Sequence, residues 1–99
     1  MIPDLRALPG GDLVMQGIKD LSAGTNDSVE ALLVQIARPR LAAVGLVIPG
    51  REREDSELAL YSRLSLDGDD DPYARYNSLV RRIVSCAAAL EHEIYRPGS

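Results

Sequence analysis

Tyr76, Val80, Ile83, Ala87, Leu90 and Ile94 recur in alternating steps of four and three. That spacing keeps all six on one stripe of an α-helix packed in a bundle. It predicts a long last helix over residues 72–95, with Asp71 as N-cap, Pro72 at the first helical position and Pro97-Gly98 beyond its end. At about 100° per residue the stripe runs from Cys86 on one flank to Val84 on the other. Burying its aliphatic members is worth on the order of 10 kcal/mol gross, before the entropy of ordering is set against it.

Proline and glycine divide the rest of the chain. Residues 1–11 hold Pro3, Pro9 and the Gly10-Gly11 pair, which read as an irregular arm whose Ile2, Leu5 and Leu8 are placed to dock on a core. A first helix is expected over 12–22, with Val14, Ile18 and Leu21 on one face and Gly24 ending it. Gly17 lies inside that helix, where glycine costs about 1 kcal/mol relative to alanine, so the helix is either weak there or closely approached by another backbone.

A second helix is expected over 28–44. Asp27 followed by Glu30 has capping-box spacing, and Val29, Leu32, Leu33 and Ile36 make an apolar face. Pro39 removes an amide donor and disfavours helical torsions at Arg38, which predicts a kink or break. Gly45 should stop the following turn, leaving Leu46, Val47 and Ile48 as a buried extended connector, or less readily as an edge strand pairing across a dimer. A third helix is expected over 55–65, led by acids that give way to Leu58, Leu60, Tyr61, Leu64 and Leu66.

These elements predict an all-α fold: a compact bundle of about four helices, with a long C-terminal helix and a proline-broken second helix, in a single domain over 1–99. The absence of Phe and Trp leaves the core to Leu, Ile, Val and Ala. A 99-residue chain buries a modest core, so its stability is expected to be marginal or shared with a partner.

Functional signals are sparse. The net charge is −4 and ten of the eleven basic residues are arginine. The acidic total argues against a dedicated nucleic-acid binder, and an arginine-rich composition also arises from a GC-rich genome without any function attached. A lone Cys86 excludes an internal disulfide and points to a reducing, cytoplasmic setting. No stretch approaches the roughly 20 apolar residues of a membrane span, and the first eleven residues do not read as a signal peptide.

The aspartate run at 67–71 opens with EF-hand spacing at Asp67, Asp69 and Asp71, but Pro72 and Ser78 stand where a calcium loop needs glycine and glutamate. We therefore assign no metal and no cofactor. His92 falls almost opposite the stripe, and Cys86 reads as a small packing residue. Neither has a partner that would make it a catalyst, and the chain reads as non-catalytic.

The densest group of recognition-type side chains is Tyr73, Arg75 and Tyr76, followed by Arg81 and Arg82, with Arg38 and Arg40 able to extend it if the second and last helices meet. Its plainer explanation has Tyr76 in the core, Tyr73 at the bundle end and the arginines paired with acids. The leading expectation is a small self-associating interaction or regulatory module, a homodimer by preference, with another protein partner also open to it. A nucleic-acid-linked regulator using the arginine patch is the first alternative. A small enzyme or ligand binder using Tyr61, Tyr73, Cys86 and His92 is the second.

Overall fold

A computed structural model describes residues 5–50, 54–68 and 70–95, without the side chains of Arg6, Glu93, Ile94 and Tyr95. After a single 3-10 turn, Leu5–Ala7, come four α-helices: α1 (Gly11–Ser22), α2 (Val29–Ala43), α3 (Ser56–Leu66) and α4 (Pro72–Tyr95). No strand occurs among the described residues. Leu5 and Leu8 of the expected arm pack against the core, while Ile2 and the Pro97-Gly98 stop lie outside the described residues.

The hub of the bundle is α2, which contacts each of the other three helices. Ala31, Leu32, Leu33 and Val34 are all 0–1% exposed, so the first half of α2 is buried on every side rather than along one stripe, while Pro39, Ala42 and Ala43 of its second half are exposed. The spine expected of α4 alone is thus shared. Gly17 is where α1 comes closest: a β-carbon there would collide with the Val34 side chain and the Glu30 carbonyl. The glycine lets two helices approach at short range, and its low helix propensity is offset by that contact.

The start of α2 differs by one residue from the capping-box expectation. Ser28, not Asp27, is the N-cap, with its Oγ accepting from the Ala31 amide at 3.1 Å. Glu30 then stands too near the helix start to close a box. The same hydroxyl donates to Asp20 Oδ2 at 2.7 Å, joining the end of α1 to the start of α2.

Pro39 does not break α2, and Arg38 stays helical. Beyond the proline, Leu41 and Val44 are buried, and the helix closes with the Gly45 amide on the Ala42 carbonyl and the Leu46 amide on the Leu41 carbonyl. Gly45, at φ 96°, supplies the left-handed turn this closure requires. Burial and a complete C-cap hold the last turn despite one missing donor.

The connector that follows is only half buried. Ile48 points inward while Val47 is 85% exposed. Arg38 fastens it, donating to the carbonyls of Ile48 at 3.1 Å and Gly50 at 2.8 Å.

In α4 the buried seam consists of Leu79, Ile83, Cys86, Ala87 and Leu90, with Tyr76, Val80 and Val84 half-buried beside it. It is rotated toward Cys86 relative to the sequence stripe, because α1 begins on that side, with Gly10 against the Arg82 carbonyl and near the Cys86 β-carbon.

Candidate functional site

Only part of the Tyr73–Arg82 cluster shares a face. Tyr73, Arg81 and Arg82 line one open groove on α4, of about 580 Å³, together with Ala74, Asn77 and Ser78. Tyr73 is 65% exposed and so does not pack at the bundle end as the plainer explanation had it. Arg82 reaches Asp12 of α1 at 3.7 Å. Arg75 and Arg81 are exposed and form no ion pair with another described residue.

Tyr76 turns toward the bundle. Burial, followed by the nearby Glu57 carboxylate on α3, pushes its phenol above the ordinary tyrosine value. Arg38 and Arg40 do not extend the patch. Arg38 is committed to the connector and to Gln35, and Arg40 pairs with Glu91 at 3.1 Å. Helices α2 and α4 do meet, but Glu91 lies nine residues beyond Arg82, some 14 Å along the axis at about 1.5 Å per residue.

The groups that would make an enzyme are dispersed. Cys86 is buried, and burial, then the charge of Asp12, raises its thiol. His92 is exposed, and Tyr61 stands outward on α3. Asp71 caps α4, its Oδ1 accepting from the Ala74 amide at 3.1 Å. Among the described residues no group of His, Cys, Asp and Glu is gathered to hold a metal ion, and no helix is long and apolar enough to cross a membrane.

An uncovered apolar face on α3 was not singled out from sequence. Leu60 and Leu64 of α3 point into the core, whereas Leu58 is 69% exposed, Leu66 84% and Tyr61 40%. At about 100° per residue Leu58 and Leu60 stand roughly 200° apart, so one helix cannot bury both against one neighbour. The signal was therefore present in the spacing of the leucines. Leu58, Ser62 and Leu66 follow one another at steps of four, along an open groove of about 460 Å³ between α3 and the start of α2, rimmed by Asp27, Asp55 and Arg63. Arg63 is already engaged, with Asp67 at 3.4 Å and the Asp27 carbonyl at 3.3 Å.

No protein-family model, curated protein or solved structure gives a significant match to this chain.

Proposed function

We propose that this chain is a small non-catalytic interaction module that self-associates through its helical faces, acting as a homodimer or as an adaptor for another protein. The supporting observation is the outer face of α3, where two leucines and a tyrosine face water on a helix whose other leucines already complete the core. Isolated exposed leucines are ordinary, but apolar side chains aligned along a groove and rimmed by polar groups mark association surfaces. The single buried thiol suits a cytoplasmic setting.

Nucleic-acid contact has less support, since the patch reduces to three arginines, one of them beside Asp12, with no row of aromatic side chains for base stacking.

The test is light scattering across a concentration series. A mass that rises toward twice 10.7 kDa, and falls back when Leu58 and Leu66 are both changed to serine, supports the reading. A mass that stays at one chain at every concentration rejects self-association.

A further inference from the structure

We infer that the outer face of α3 receives a basic amphipathic helix of another protein in preference to a second copy of this chain. The inference rests on the reading of that face as an association surface and names its occupant. Within α3, the arc of about 140° from Tyr61 through Ser65, Leu58 and Ser62 to Leu66 is exposed and holds no charged residue. Ser62 and Ser65 are small beside the leucines, and the Ser65 hydroxyl donates to the Tyr61 carbonyl at 3.1 Å, so covering it strands no donor. Leu58 and Leu66 stand about 12 Å apart along the axis, a span that apolar anchors on successive turns of a helix laid in the groove can match.

Charge selects the occupant. The end of α3 lies beside the start of α2, where Arg63 reaches the Asp27 carbonyl. Residues 27–30 and 67–71, which flank that end, carry six acids and no base; set against Arg63 and against Arg75 on the first turn of α4, they leave a surplus of four. Some of these carboxylates have partners within the chain, with Asp67 beside Arg63 and Asp71 capping α4. A hydrogen bond leaves the carboxylate its charge, and the field of the cluster reaches about 10 Å at ordinary salt.

A second copy cannot answer that field. An α3 laid parallel brings the same acids, and one laid antiparallel brings residues 51–55, whose Arg51 and Arg53 are outnumbered by Glu52, Glu54 and Asp55. The self-contact is left to the leucines alone. A helix with leucines on one face and lysines or arginines toward one end gains the same burial and adds attraction. Its basic end lies over the C-terminus of α3, where the negative end of the helix dipole also favours cations.

Peptide titration tests the choice. Three synthetic peptides of about four turns are compared: one with leucines at helical spacing and lysines toward one end, one with the same residues in an order that breaks the spacing, and one with glutamates in place of the lysines. The first should bind, move the NMR signals of Leu58, Ser62 and Leu66, and displace a dimer formed through them, and the other two should bind at least about tenfold more weakly. Leu58→Ser with Leu66→Ser should weaken the first peptide at least about tenfold, Asp67→Asn with Asp70→Asn at least about threefold, and rising salt should weaken it further. Circular dichroism checks that both variants fold. If the reordered or the glutamate peptide binds as tightly, if the shifts fall away from α3, or if no peptide binds, the basic helix is overturned, and wild-type dimerisation that depends on Leu58 and Leu66 would still uphold self-association. A wild type that neither dimerises nor binds overturns both.

Discussion

Helices α3 and α4 both carry more apolar residues than a solvated helix needs, yet they place them differently. Every fully apolar position of the α4 seam, from Leu79 to Leu90, is at most 2% exposed, because α1, α2 and α3 all pack along it. In α3, Leu60 and Leu64 are spent on the core, and Leu58 and Leu66 project from the opposite side. The contrast teaches that apolar content alone does not locate a functional surface. What matters is the part of it that the chain's own fold leaves uncovered.

The sharpest way to break this comparison is to truncate one leucine from each helix. Leu90→Ala should destabilise by about 2–5 kcal/mol, since a buried leucine leaves a cavity, whereas Leu66→Ala should change stability by no more than about 0.5 kcal/mol, as at an ordinary surface site. Urea unfolding checks both, and similar losses at the two sites would mean that α3 is not turned as described. Next in size is Gly17→Val, expected to cost about 1–3 kcal/mol by overpacking against Val34 and Glu30. Breaking the half-exposed Arg40–Glu91 pair with Arg40→Ala should cost at most about 1 kcal/mol in the same assay.

The smallest effects are on titration. Asp20 accepts from the Ser28 hydroxyl and then from the Gln16 amide, and both hold its carboxyl below the ordinary range. Its folded value being depressed, this contribution is present above the unfolded carboxylate range and is lost as pH falls through the folded value. Asp20→Asn should therefore flatten the acid arm of a stability–pH curve while leaving the alkaline arm unchanged. Cys86 shifts the other way. Its contribution is present below the free-thiol range and fades as pH rises through the raised folded value, so a thiol reagent at mildly alkaline pH should label the native protein far more slowly than the unfolded chain.

Much of the architecture was legible because helices announce themselves locally. Pro72, Asp71, Gly24 and Gly45 place their ends through torsion and capping chemistry that needs no tertiary partner, and these positions hold. The failures concern neighbours. Pro39 looked like a break, but its cost is set against the burial of Leu41, which depends on what α2 packs against. Asp27 and Ser28 are both good caps, and the choice of Ser28 coincides with the arrival of Asp20 from α1. Leu79 was missed because the stripe was centred on Tyr76, and only the position of α1 shows that the seam is turned toward Cys86.

The candidate site divides along the same line. Tyr73, Arg81 and Arg82 do line one groove, although at about 100° per residue Tyr73 and Arg82 stand about half a turn apart, so spacing alone does not bring them together. Arg38 and Arg40 were assigned to it on the supposition of a nearby helix pair, and the fold employs them in holding a connector and an inter-helix ion pair instead. The outward leucines of α3 could be recognised as surplus only once Leu60 and Leu64 were seen to fill the available core.

The most direct test of surplus against seam is a dilution series followed by two-dimensional NMR of the methyl and backbone amide groups. Dilution should move the signals of Leu58, Tyr61, Ser62 and Leu66, while Leu79, Ile83 and Leu90 stay fixed. A spectrum unchanged over the whole range, or shifts concentrated on the Leu79–Leu90 seam, would contradict the division of labour between the two helices.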